Sequence, residues 1–151
     1  MPKAWATRLI MAREINAISN CTEILQAPPH SLTPSGALAA LQELSIYTNA
    51  ESCPMCASAI RFSAFKEYIF GTSIPFLTDH GACWSQITLS SYNIFQQSVL
   101  LGTSTQFVGN ILGNETDPMF AWQFDESAPC PSSCVRTNID ATPTCVPTKV
   151  T

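Results

Sequence analysis

Between Glu43 and Leu112 the hydrophobic pattern switches back and forth between strand-like and helix-like spacing, and this alternation restricts the fold of the 151-residue chain more than any other feature. Residues 43–48 (ELSIYT) bring Ile46, Tyr47 and Thr48 together and read as a strand. Residues 53–63 read as a helix, 67–72 (EYIFGT) as a second strand and 106–112 (QFVGNIL) as a third. Between the last two lies a long connection with Trp84 and an amphipathic stretch from Tyr92 to Leu100, whose length alone calls for some helix. Strand, helix, strand, partly helical connection, strand is the order of an α/β sheet with helices on its faces.

The flanks add to this core. Leu9, Ile10, Ile15, Ala17 and Ile18 recur at near-helical spacing, which predicts a helix over residues 7–25 that Pro28 and Pro29 stop. A loop through Pro34 and Gly36 follows, then a short helical turn over 37–41. Phe120, Trp122 and Phe124 suggest a last helix or packed segment covering the sheet. Residues 127–151 contain few core-forming side chains, so the expectation is a domain over 7–126 followed by an irregular Pro, Ser, Thr and Cys-rich tail.

Charge narrows the partners. Only 12% of residues are charged, against about 25% in ordinary soluble domains, and the net charge is −4. Without clustered Lys and Arg there is no footprint for a phosphate backbone, which argues against long nucleic acid as a partner. No run of about 18 apolar residues appears, so no membrane span is expected. The opening MPKAWATRLIMAR is basic and partly apolar, but too interrupted for a secretory h-region; a transit peptide is the other reading.

The seven cysteines fall into two contexts. Cys130, Cys134 and Cys145 lie in the tail and read as structural disulfide cysteines, one of them unpaired or joined to Cys83. The sequons Asn20-Cys21-Thr22 and Asn114-Glu115-Thr116 point the same way, to a secreted relative. Cys21 and Cys83 carry no pattern of their own. Cys53 and Cys56, by contrast, form a tight pair at a helix start. Ser52 suits the N-cap and Pro54 the first turn. Cys53, Cys56, Ala57 and Ile60 fall at i, i+3, i+4 and i+7, so both thiols point the same way. Taken alone, Cys-x-x-Cys fits a redox pair, half a structural zinc site or two core thiols. A thiol-disulfide enzyme needs a thioredoxin-like βαβ pattern before the pair, which is missing.

The run Tyr47-Thr48-Asn49-Ala50-Glu51-Ser52-Cys53-Pro54-Met55-Cys56-Ala57-Ser58-Ala59-Ile60 resembles the second half of the His-x-Glu, Pro-Cys-x-x-Cys signature of zinc-dependent nucleobase and nucleoside deaminases. Phe70-Gly71 extends the likeness toward guanine deaminases and transfer-RNA adenosine deaminases. Upstream, Glu14-Ile15-Asn16-Ala17-Ile18 resembles the helix that begins with His-x-Glu. The resemblance covers roughly residues 12–112 and implies a cytidine deaminase-like three-layer α/β/α sandwich. It further implies a zinc cofactor, Cys53 and Cys56 as thiolate ligands, and Glu14 as the proton-shuttling carboxylate. Asn49 would help bind substrate, a free nucleobase or nucleoside that loses its amino group as ammonia. A homodimer is compatible with the same likeness.

The sequence departs from that pattern in three places. Ala12 occupies the histidine position, and a methyl group cannot coordinate metal. Ser52 replaces a proline. The residues before Glu14 are too few for the helix and two-stranded hairpin that usually open the family, so the sheet is expected to be incomplete and the 43–48 strand to have an open edge, an aggregation hazard. His30 and His80 read first as surface loop histidines, with replacement zinc ligation as the other reading. Trp84 and the Phe120 to Phe124 aromatics would either wall a base-stacking pocket or pack the core. The alternative to an active deaminase is a truncated, catalytically impaired relative.

Overall fold

Tyr68 is fully buried in the hydrophobic core. The computed structural model describes residues 13–80, 87–122, 125, 127–130, 134–139 and 142–148. Strand β1 (Ser45–Ala50) pairs in parallel with β2 (Glu67–Thr72), which pairs in parallel with β3 (Gln106–Val108), in spatial order β1-β2-β3. The register sets Ile46 beside Tyr68 and Tyr68 beside Phe107. Alternation along a strand puts these residues on one face. There Tyr68 stacks on Phe70 and Phe95 and meets Phe107 edge-on, with ring centroids 5.4, 5.5 and 5.5 Å away.

The fold is thus mixed α/β around a parallel three-stranded sheet. Its core of Leu41, Ile46, Ile60, Phe65, Tyr68 and Phe70 is closed over by helices. Helix α1 (Arg13–Gln26) contributes Ile18, Cys21 and Leu25. Helix α2 (Pro34–Leu41) contributes Leu41, and α3 (Pro54–Ser63), which links β1 to β2, contributes Ile60. Two short helices, α4 (Ile74–His80) and α5 (Ser91–Gln97), lie in the long connection, which continues into a single 3-10 turn at Val99–Leu101. Phe95 of α5 reaches the same core. Arg61 on α3 locks this side: its guanidinium donates to Ser98 Oγ at 2.6 Å, Ser98 O at 3.1 Å, Thr103 O at 3.0 Å and Thr105 Oγ1 at 3.2 Å, and lies over the Phe95 ring.

On the opposite face the cover is thin. Tyr47 is 73% exposed. Helices α6 (Gly113–Thr116) and α7 (Pro118–Ala121) lie at the carboxyl end of the strands, where Thr116 lies on Gly71. A Cβ at Gly71 would stand 2.5 Å from Thr116 Cγ2 and 2.7 Å from the Asn49 carbonyl oxygen, so this close approach requires glycine. Gly109 does the same for the Phe70 ring.

Several boundaries differ from the sequence expectation, each for a physical reason. The first strand starts at Ser45 rather than 43, because Gln42, Glu43 and Leu44 donate their N–H groups to Ala39 O, Ala40 O and Leu41 O and so prolong the turn that ends α2. Helix α2 begins earlier, at Pro34, since Thr33 Oγ1 caps it by accepting from Gly36 N at 3.1 Å. The third strand stops at Val108 rather than 112: Asn110 and Leu112 have φ of 59° and 53°, left-handed conformations that a strand does not tolerate. Helix α1 ends at Gln26, and the part expected over residues 7–12 lies outside the described residues.

The tail is not irregular throughout. β4 (Cys134–Ile139) and β5 (Thr142–Pro147) form an antiparallel pair, and a disulfide joins Cys130 to Cys145, leaving Cys134 free. Arg136 fastens the pair to the preceding chain by donating to Ala128 O at 2.5 Å and Trp122 O at 3.4 Å. A ladder closed by a disulfide needs little apolar burial, which is why a search for core residues passes over it. Among the described residues no helix is long and apolar enough to cross a membrane.

Candidate functional site

Three consecutive residues, Glu51, Ser52 and Cys53, carry the chain from the end of β1 into α3, and each has a distinct job. Glu51, 6% exposed, sends its backbone N–H to Thr72 O at 2.7 Å. Its side chain accepts from Ile74 N at 2.9 Å through Oε2, and from Ser91 N at 2.8 Å and Ser91 Oγ at 2.7 Å through Oε1. One buried carboxylate therefore fixes the first residues of both α4 and α5. Ser52 comes next, 1% exposed; its N–H donates to the Tyr68 hydroxyl at 2.7 Å and its hydroxyl to Glu14 Oε1 at 2.8 Å. The sequence placed Ser52 at the helix N-cap. In the structure Cys53 occupies that position without a side-chain cap bond, leaving its sulfur free for other partners, and Ser52 reaches back to α1 instead.

The thiols interact directly. Cys56 donates its S–H to Cys53, and this bond, chiefly, holds Cys53 down to about 6; the backbone N–H groups of Cys56 and Met55 add to it against the opposing effect of partial burial. Exposed N–H groups at a helix start stabilise a thiolate in this way. Cys56 shifts strongly upward because its proton is held by Cys53, with burial and the charge of nearby Glu14 acting in the same direction. Glu14 also lies within hydrogen-bonding reach of the Cys56 thiol. The resting site thus contains one thiolate, one retained thiol proton and one anchored carboxylate.

Glu14, Cys53 and Cys56 come together although nearly forty residues separate α1 from the pair. Asn49 does not join them. It lies within β1, exposed, with its Nδ2 directed at Met119 Sδ 3.9 Å away on the α6 and α7 side of the sheet. His30 is exposed beyond the far end of α1. At 1.5 Å per residue that end is about 18 Å from Glu14, out of ligating range. Ala12, Cys83 and Trp84 lie outside the described residues, as does the His80 side chain. Of the aromatics expected to cover the sheet, Phe120 and Trp122 are half-buried and Phe124 is outside the described residues.

A hydrolytic zinc centre needs three protein ligands and one open position. Two thiols and a carboxylate converge, but among the described residues no group of three or more His, Cys, Asp or Glu side chains is arranged to hold a metal ion. The described residues fit two of the three ligands. Three participants were not read as site residues from sequence: Glu51, Ser91 and Tyr68. The signal for Glu51 was available, since it is the sole charged residue between Glu43 and Arg61 in a chain poor in charge. No protein-family model matches the chain, and no curated protein does.

Proposed function

We propose that this chain is a zinc-deaminase-type protein, with Cys53 and Cys56 as its two thiolate ligands and Glu14 as the carboxylate that moves protons in removing an amino group from a free nucleobase or nucleoside. On this reading the sheet belongs to the central layer of a three-layer α/β/α sandwich. The observation that carries the proposal is the convergence of Glu14 on the thiol pair through Ser52. The same carboxylate that ties α1 to Ser52 stands beside the thiols, and hydrolytic deamination needs a base beside the reacting centre.

The roles follow from the chain's own groups. Cys53, already ionised at neutral pH by the Cys56 proton and the helix start, is the stronger ligand; Cys56 follows once its proton is displaced, since ligation requires the thiolate. When bound, zinc would supply acidified water at neutral pH. Glu14, held at one oxygen by Ser52, keeps its other oxygen for taking and returning protons. The acidic balance of the chain favours a small substrate over transfer RNA.

A second reading, a relative that keeps the site's frame without its metal, is favoured by the two-ligand count and by Ala12 at the position of the third. Zinc analysis of purified protein together with ammonia release from guanine, cytosine and adenosine separates the two. About one zinc per chain with ammonia release supports the first; neither supports the second.

A further inference from the structure

Two sequons remain outside the proposed reaction, and the structure treats them differently. Asn20 and Asn114 are both exposed. Asn20 lies midway along α1, and the hydroxyl two residues on, Thr22 Oγ1, donates to Ile18 O at 2.8 Å, a bond inside the same helix. Thr22 therefore has a local reason to be threonine. Thr116, two residues beyond Asn114, does not. Its Oγ1 is buried at the contact with Gly71 and finds no hydrogen-bond partner among the described residues. The contact uses the shape of the side chain, and valine has that shape. A buried hydroxyl without a partner lowers stability, so folding alone disfavours it.

We infer that Asn114 is an N-glycan acceptor, and that the Thr116 hydroxyl serves recognition of the Asn-x-Thr triplet before this segment folds and turns it inward. In that step Asn114 Nδ2 displaces the pyrophosphate of a polyprenyl-pyrophosphate-linked oligosaccharide. The bond from Nδ2 to the first sugar carbon forms, the bond from that carbon to the pyrophosphate oxygen breaks, polyprenyl pyrophosphate leaves and the amide gives up one proton. Two further observations place the chain where this chemistry occurs and the acceptor where a glycan fits. The Cys130–Cys145 disulfide belongs to an oxidising compartment. Asn114 is exposed within the four-residue helix α6, just after the left-handed residues Asn110 and Leu112, where a glycan can extend into solvent.

The test is translation of the full chain behind an appended secretory leader in the presence of endoplasmic-reticulum microsomes, read by gel mobility before and after endoglycosidase. The expected result is a glycosidase-sensitive shift that persists in Asn20→Gln and Thr116→Ser, and from which Asn114→Gln and Thr116→Val each remove one glycan. A translocated chain with no such shift overturns the inference, as does a shift that Asn20→Gln abolishes and Asn114→Gln leaves whole. The hydroxyl argument has its own readout in the unglycosylated protein: Thr116→Val should melt at or above the wild-type temperature. A fall of several degrees would show that the hydroxyl makes a folding contact and would overturn its assignment to acceptor recognition.

Discussion

Ser52 Oγ donates a 2.8 Å hydrogen bond to Glu14 Oε1, joining the residue before the thiol pair to the first turn of a helix 38 positions upstream. The donor is almost fully buried and the acceptor half-buried. Hydrogen bonds to charged groups contribute about 1.5–3 kcal/mol. Ser52→Ala should therefore lower stability by roughly that amount, and Ser52→Thr, which keeps the hydroxyl, should restore part of it. In a double-mutant cycle with Glu14→Ala, a coupling energy near zero in denaturant titrations would show that the bond is absent in solution.

Glu51 should be the most sensitive polar residue of the chain. Truncation to Ala leaves the Ile74 and Ser91 amides and the Ser91 hydroxyl without their acceptor, at about 1–3 kcal/mol for each donor stranded. Glu51→Gln keeps one oxygen and should fall between wild type and Glu51→Ala. Hydrogen exchange is the direct check: protection at Ile74 and Ser91 should drop in Glu51→Ala before protection in β2 does. Uniform loss across the sheet would mean that Glu51 supports global stability rather than the two helix starts.

The thiol pair gives a pH dependence of definite sign. Because Cys53 is held to about 6 in the folded chain, below the ordinary thiol range, its thiolate grows in as pH rises through 6. Its contribution to stability is complete above the unfolded thiol range and is lost as pH falls through 6. Cys56 acts in the opposite sense at high pH, since the folded chain retains a proton that the unfolded chain releases. Alkylation of the zinc-free protein, followed at Cys53 by peptide mass spectrometry, should show a midpoint near pH 6 that Cys56→Ala moves up toward the ordinary thiol range. A midpoint already in that range in the wild type would contradict the thiol–thiol bond.

Gly71→Ala should destabilise the carboxyl end of the sheet by about 1–3 kcal/mol, the usual cost of overpacking. Its Cβ would collide with Thr116 and with the Asn49 carbonyl, and the second is backbone in a paired strand. Thr116→Ala in the Gly71→Ala background should recover only part of the loss. Full recovery on thermal melting would show that the backbone contact is looser than 2.7 Å.

Much of the sheet was legible because its signals are local. Alternation over 67–72 marked β2 at its observed limits, and Cys-Pro at the start of an amphipathic run marked α3 within one residue. What the sequence hid depends on contacts across the chain. β3 shortens because Asn110 and Leu112 take left-handed conformations that no side-chain periodicity reveals. The site divides in the same way. The shared face of Cys53 and Cys56 follows from i, i+3 spacing, but Ser52 read as a local cap because its true acceptor is 38 residues away. The strand position of Asn49, which turns it toward Met119, follows from the two-residue shift of β1, itself set by the turn bonds closing α2.

The most direct test of the proposed metal site is zinc affinity, measured by competition with a chromophoric chelator on the wild-type chain and on Ala12→His. If Cys53, Cys56 and position 12 face one metal, the histidine supplies the missing ligand. Affinity should then rise by more than the roughly 10–100-fold that outer-shell partners contribute, to one zinc per chain, and Cys53→Ser should abolish the gain. Equal affinity in wild type and Ala12→His would contradict the assignment of Cys53 and Cys56 to a deaminase-type zinc site.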